Sequence, residues 1–193
     1  MSAKHEEPDW LGELGEHDAD LAAALLLADL TPLDAPATGR VRLLEVTGKG
    51  RLARFAETLA GLIDVTVDHA RTILDRALEA VGWETEAVPG ISTLWVEGGA
   101  AVAGCIRGFV RMEPGSQFPH HRHIGDEVAL VLEGAVLDST GAIYLPGDIV
   151  RMPADTAHSY RAREGGTDLL VFSVVREGIA VGDTLIRHRD EQP

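Results

Sequence analysis

Three of the eight histidines of this 193-residue chain crowd into four positions, His120, His121 and His123, and an acid, Glu127, follows four residues later. Imidazole nitrogen and carboxylate oxygen are ligands suited to divalent transition metals. In a strand, residues two apart project from one face, so His121 and His123 point together while His120 points the other way. Glu127 opens the next apolar run, whose alternation puts Ala129 and Val131 on its side. His158 arrives later, after a glycine corner and a proline, Gly147 and Pro153. Three imidazoles and one carboxylate brought together from separate strands would suit one divalent metal.

Such residues need a scaffold of strands, and the second half of the chain supplies one. The texture changes near Pro89-Gly90. Short β-rich runs follow at Thr93–Glu97, Cys105–Met112, Glu127–Leu132, Ala142–Leu145, Asp148–Met152, Ala157–Arg161 and Leu169–Val175. Glycine and proline punctuate them at Gly98-Gly99, Pro114-Gly115, Gly134, Pro146-Gly147, Pro153 and Gly165-Gly166. Many short strands with closely spaced turn signals predict an antiparallel sandwich or barrel.

Before Pro89 the apolar residues keep a helical period. Trp10 to Leu30 reads as one or two helices closed by Thr31-Pro32, and Val41 to Val46 is ambiguous. Leu52, Phe55, Leu59 and Leu62 form a stripe. Asp64-Val65-Thr66 interrupts it, with Thr66 as N-cap, and a second helix carries Val67, Ala70, Ile73, Leu74, Ala77, Leu78 and Val81 on one face. Two helices and a tight turn invite a helix-turn-helix reading. Yet residues 67–81 hold Arg71 and Arg76 against Asp68, Asp75 and Glu79, so the second helix offers a phosphate backbone no net attraction. The pair reads as an α-hairpin that packs on the second half or on a partner. The divisions are therefore a helical segment over 1–88, a barrel over 89–178 and a tail over 179–193.

Charge and composition narrow the function. The chain carries 17 Lys+Arg against 31 Asp+Glu, a formal net charge of −14, which repels nucleic acid and anionic lipid. The first thirty residues hold eight acids and Lys4 alone. The longest apolar run there, Leu21 to Ala28, is far short of the roughly 20 residues that span a bilayer. The opening, MSAKHEEPDW, is acidic where a secretory leader is basic and then apolar. With one cysteine, Cys105, no internal disulfide forms, and a cytoplasmic location is expected. Neither nucleic acid nor membrane is an expected partner.

The segment from Gly115 through His121, His123 and Glu127 to Gly134 resembles the first motif of the cupin superfamily, with every spacing matched. Gly147, Pro153 and His158 match its second motif, with Asp155 where the family has Gly and Ala162 where it often has Asn. The resemblance covers roughly residues 89 to 178. It implies a mainly β fold, a single jelly-roll barrel preceded by a helical segment, and assigns His121, His123, Glu127 and His158 as metal ligands. Between the motifs, Ala135 to Pro146 suits a hairpin turning near Ser139–Gly141. His5, His17, His69 and His188 lack such partners and read as surface residues.

A narrower resemblance rests on the acidic helical front, Arg51 to Phe55-Ala56, Leu62-Ile63-Asp64-Val65, Trp83, Pro89-Gly90 and then the cupin. That layout is similar to the ChrR-like anti-sigma-factor proteins, in which N-terminal helices grip a sigma factor and the cupin binds zinc. The family's anti-sigma domain usually carries its own zinc site built from His and two cysteines. No cysteine precedes Cys105, so that site cannot be built here. The resemblance implies a metal-bearing regulatory cupin that senses a small-molecule ligand, with a sigma factor as partner and, by cupin habit, a homodimer. The expected cofactor is one divalent transition metal, zinc first, with iron, manganese or nickel as alternatives. Two other readings are a dioxygenase-type enzyme acting on a small diketone or acid, and a metal-stabilised binding module without turnover. Beyond the ligands, Tyr160 shares the face of His158. Arg107 and Phe109 share a strand face which, if it points inward, would let Arg107 hold a carboxylate. Cys105 has their parity and reads as a buried small side chain.

Overall fold

The computed structural model describes residues 50–188; the helical reading of Trp10–Leu30 and the ambiguous Val41–Val46 lie outside them. A 3-10 turn over Ala53–Phe55 leads into helix α1, Ala56–Ile63, and then α2, Val67–Ala77. The corner between them is Asp64, in the left-handed region at φ 57°, a conformation that Asp tolerates better than most residues. Thr66 caps α2 as its sequence position predicts, accepting a hydrogen bond from the His69 amide at 3.3 Å. The helix stops at Ala77, so Val81 falls beyond it and is three-quarters exposed, outside the stripe expected of it. The hairpin packs on the second half of the chain.

Twelve strands follow among the described residues. One sheet joins β1 (Glu84–Thr85), β2 (Ile91–Trp95), β3 (Ile106–Met112), β10 (Leu169–Val175), β5 (Glu127–Glu133) and β8 (Ile149–Met152), in that order. The other joins β12 (Thr184–Ile186), β11 (Ile179–Val181), β4 (Gln117–His123), β9 (Ala157–Ala162), β6 (Val136–Asp138) and β7 (Ile143–Tyr144). All pairings are antiparallel. The β6–β7 hairpin turns where Ser139–Gly141 predicted it. Gly134, at φ 72°, closes the first motif; a Cβ there would sit 2.8 Å from the Leu169 Cα, so the approach of β5 to the start of β10 depends on a residue without one.

Two divisions expected from sequence are corrected. The barrel does not end at 178: β11 pairs with β4 through Ile179↔His123 and Ala180↔Arg122, and β12 extends that sheet. Three-residue strands are too short to show a period, so the segment read as a tail. Nor does residue 89 separate two cores. Leu59, Ile63, Ile73 and Leu74 of the helices share one buried cluster with Leu94, Phe109, Leu130 and Phe172 of the first sheet. Polar ties reinforce the join. Asp64 accepts from the Ala101 amide at 3.0 Å, Arg111 donates to the last carbonyl of α2, Ala77, at 2.8 Å, and the Arg111 guanidinium lies 4.0 Å over the Trp83 ring.

The first sheet is thus covered on both faces. On β10, Leu170, Phe172 and Val174 face the helices while Leu169 and Val171 enter a separate cluster inside the barrel with Ile91, Met112, Ala129 and Val131. Cys105 is buried in the helix-side cluster. No helix among the described residues is long and apolar enough to cross a membrane.

Candidate metal centre

The centre is built on β4, β5 and β9. Register sets His121 directly across from His158 and Phe118 across from Tyr160. Three steps along β4 therefore match two along β9, which is a β-bulge at Pro119-His120. The bulge changes the parity of the strand: Phe118 and His121 both face inward, although strict alternation would separate them. Proline suits the irregularity because it has no amide to give the ladder, and its carbonyl is free to accept from His121 Nδ1 at 2.9 Å. His120 points out and is exposed, as its place directly before inward His121 predicts.

His121, His123, Glu127 and His158 come together with one ligating atom of each within 4.8 Å of every other. His121 and His158 are almost wholly buried and His123 entirely so. Each imidazole is held by its Nδ1. His121 bonds the Pro119 carbonyl; His123 bonds Thr156 Oγ1 at 3.1 Å, whose hydroxyl proton goes to the Pro153 carbonyl at 2.6 Å; His158 bonds the Asp138 carboxylate. With protons fixed on the three Nδ1 atoms, the three Nε2 lone pairs turn toward one another. His121 Nε2 and His158 Nε2 are 3.1 Å apart. His123 Nε2 lies 2.8 Å from Glu127 Oε2, yet it is buried without a hydrogen-bond partner. Electron-rich atoms packed this closely in a dry site call for a cation between them, and the donor set fits a divalent metal.

The electrostatics agree. Burial, helped by the neighbouring His158 and His123 rings, pushes His121 down to about 4, so its lone pair is free at neutral pH. Burial pushes the Glu127 carboxyl up, but the adjacent His123 and a hydrogen bond from Ser173 outweigh it and leave the group below its ordinary value. Asp138 is also lowered: two hydrogen bonds from Thr140, at 2.7 and 2.8 Å, and the one from His158 overcome the cost of burial. Asp138, Thr156 and Ser173 carry no motif spacing and are absent from the sequence reading. Asp138 needed the β6–β9 pairing, which sets it across from Tyr160, to be seen.

Tyr160 sits beside the cluster as its parity predicts. Its ring stacks on Phe118 with centroids 5.0 Å apart and lies 5.8 Å from the His158 ring. Burial, with a smaller contribution from the Glu127 charge, holds its phenol above the ordinary value, so it stays protonated. Arg107 and Phe109 lie on the other side of β3. Arg107 is buried with its guanidinium bonded to the Val96 and Val102 carbonyls and to Glu97 at 3.2 Å, with His188 Nε2 3.3 Å away. It faces the helix side and has no reach to a ligand in the barrel. Phe109 packs edge-on against Phe172 at 4.9 Å in the helix-side cluster. The inward residues of β3 are instead Ile106, Gly108 and Val110, which line a cavity of about 350 Å³ reaching His121, Glu127 and Tyr160. His69 is exposed, as its lack of partners predicts.

Two antiparallel sheets closing over an inward cluster of three histidines and a glutamate define a cupin. A family model, the ChrR cupin-like domain, matches residues 77–174. The chain belongs to that family. Among solved structures it is similar to Rhodobacter sphaeroides SigE in complex with the anti-sigma ChrR, at 21% identity over 81% of this chain and 75% of that one, TM-score 0.50. It also resembles an acetylacetone dioxygenase from Acinetobacter johnsonii, at 12% identity over 56% and 81%, TM-score 0.49. KdgF from a Halomonas species matches at 23% identity over 49% and 86%, TM-score 0.40. No curated protein matches the chain.

Proposed function

We propose that the chain is a regulatory cupin that holds one divalent transition metal on His121, His123, Glu127 and His158 and senses a small molecule beside it. The observation that carries this reading is the orientation of the three imidazoles. Each Nδ1 is tied to an acceptor, and the three Nε2 atoms converge in one buried pocket, those of His121 and His158 3.1 Å apart and that of His123 without a hydrogen-bond partner. Zinc would serve there as a Lewis acid and structural clamp, whereas iron, manganese or nickel would add redox or Lewis-acid chemistry. The chain's own residues supply the rest. Ser173 donates a hydrogen bond to Glu127, Asp138 orients His158, and Tyr160 offers a protonated hydroxyl to whatever enters the cavity.

The partner in this proposal is a sigma factor, engaged through the N-terminal half, and the support is family membership together with the SigE-bound ChrR neighbour. A homodimer in the cytoplasm completes the reading. A second reading, turnover of a small diketone or acid with dioxygen, is favoured by one feature, the cavity that opens onto Glu127 and His121.

Elemental analysis of tag-free protein purified anaerobically without chelators tests the metal. About one metal per chain is expected, none in the His121→Ala/His158→Ala double variant, and close to one in His120→Ala, whose ring points away. Full metal in the double variant overturns the assignment. Co-purification of a sigma factor with the native chain supports the regulatory reading, and oxygen uptake with a diketone panel would support the enzymatic one.

A further inference from the structure

Among the described residues Arg107 is the only buried arginine, and the metal centre makes no use of it. A buried cation is tolerated only where its donors are answered, and the partners of this one come from two segments far apart in the chain. Its Nε and Nη1 donate to the Val96 and Val102 carbonyls, both in the loop that joins β2 to β3. Its Nη2 donates to Glu97 of the same loop at 3.2 Å and to His188 Nε2 at 3.3 Å. A guanidinium has no acceptor, so His188 accepts at Nε2 and carries its ring proton on Nδ1. Each segment leads to a different part of the fold. The loop is seated on the corner between α1 and α2: the Gly99 amide donates to the Ile63 carbonyl at 2.7 Å and the Ala101 amide to Asp64 at 3.0 Å. A Cβ on Gly99 would lie 2.0 Å from the Asp64 carbonyl oxygen, so loop and corner meet backbone to backbone. His188 follows β12, the outer strand of the C-terminal hairpin, whose inner strand β11 pairs Ile179 with His123.

We infer that Arg107 is a joint: its one guanidinium couples the corner of the helical hairpin to the C-terminal hairpin, so that a change at Asp64 alters how firmly β11 and β12 are held. The reason is geometric. The guanidinium is planar and its donors form a rigid fork, so it cannot turn toward one segment without turning from the other. If the loop follows the helices away from the sheet, Arg107 follows its two carbonyls and His188 loses its donor. Water can replace Glu97, whose side chain is 91% exposed, which leaves the two carbonyls and His188 as the partners that hold the buried charge. Coupling of this kind needs a contiguous set of contacts, and here it runs from Asp64 through Ala101, Val102 and Arg107 to His188. The joint requires neither metal nor partner; its use as a route between the helices and the His123 strand rests on the regulatory reading above.

Hydrogen exchange of the full chain, followed by mass spectrometry on metal-analysed samples, tests the coupling. Asp64→Gly removes the acceptor of the Ala101 amide and keeps a residue at home in the left-handed corner. It removes nothing from the C-terminal hairpin, yet the amides of 179–186 should exchange about threefold faster, while those of β6 stay at the native rate. His188→Ala should speed the same amides about fivefold, the equivalent of one ordinary hydrogen bond. Both lesions act through one guanidinium, so the double variant should fall short of the product of the two. In an Arg107→Met background, Asp64→Gly should have no further effect on 179–186. Native exchange at 179–186 in Asp64→Gly overturns the inference. So does a full product in the double variant, an undiminished effect in the Arg107→Met background, or a uniform acceleration that includes β6. If Arg107→Met does not fold, the Asp64–His188 cycle on the native chain still decides. Metal analysis and sigma-factor co-purification test the regulatory reading separately, so the joint and that reading can fail independently.

Discussion

The two faces of β10 are one strand doing unlike tasks. Leu170, Phe172 and Val174 lie against α1 and α2 in a hydrophobic cluster. On the other face, Leu169 and Val171 give way at the centre to Ser173, whose hydroxyl holds Glu127. The outward face is shaped for burial alone, and the inward face trades one apolar position for control of a charge. Because both faces are covered, the strand reads LLVFSVV, nearly all apolar, and Ser173 is the only residue in it that betrays which side holds the chemistry. A site inside a barrel needs few polar groups, provided that each is satisfied.

If that separation is real, the helix-side face can be damaged without touching the centre. Phe172→Ala removes a wholly buried ring that packs on Phe109 at 4.9 Å and should cost about 3–5 kcal/mol in denaturant unfolding. Metal per folded chain should stay at the native level. Loss of metal in molecules shown to be folded would mean that the helices and the centre are one cooperative unit and would break the comparison.

The inward face was the more legible of the two from sequence. Motif spacing from Gly115 to Gly134 and from Gly147 to His158 located all four residues of the cluster, and strand parity turned His120 outward. Asp155, placed where the family has glycine, is in the left-handed region at φ 63°, which glycine enters most readily, and pairs with Arg122 at 2.7 Å. What the sequence could not convey was which way β3 faces. Parity groups Arg107 with Phe109 correctly, but both faces of the strand are buried, so no polar side marks the exterior and the direction of the pair stays open in the sequence. Its donors had a partner that pattern cannot show: the Val96 and Val102 carbonyls of a loop that folds back across the strand. The C-terminal hairpin and the stop of α2 before Val81 escaped for a related reason, since elements of three residues or single turns carry no period.

The second contrast is titration. The helix-side cluster is built of hydrophobic residues, Cys105 among them, whereas the centre holds three groups displaced in the same thermodynamic direction. His121 takes its proton near pH 6.5 when unfolded and at about 4 when folded. The unfolded chain therefore binds more protons between those values, and the metal-free protein loses stability as pH falls across them. For His121 alone this amounts to at most about 3 kcal/mol at pH 4. Glu127 and Asp138, both lowered, add losses of the same sign as pH falls through the carboxylate range. Urea midpoints of the chelated protein from pH 7 to pH 4 should trace this fall. Phe172→Ala should shift the whole curve down without changing its shape; a curve flat in pH would mean that His121 is not held neutral by its surroundings.

Asp138 gives the finest test, because its substitution alters neither face's packing. Its carboxylate accepts from His158 Nδ1, from the Thr140 amide and from the Thr140 hydroxyl, so it fixes the ring orientation that leaves Nε2 bare. Asp138→Asn keeps the volume but replaces a charged acceptor by an amide, and its NH₂ competes for the role of donor toward the ring. The expected loss is about 10–100-fold in metal affinity, the range typical of groups that orient a metal-binding histidine. Apo-protein stability near pH 7 should change by less than about 1.5 kcal/mol, because the Thr140 bonds to the retained oxygen survive. Competition against a chelator of known affinity measures the first, and urea unfolding of the metal-free variant the second. Native affinity in Asp138→Asn would show that the strand pairing of β4 and β9 alone aims His158. A large apo-stability loss with unchanged affinity would make Asp138 a support of the β6–β7 turn and leave the centre to the three histidines and Glu127.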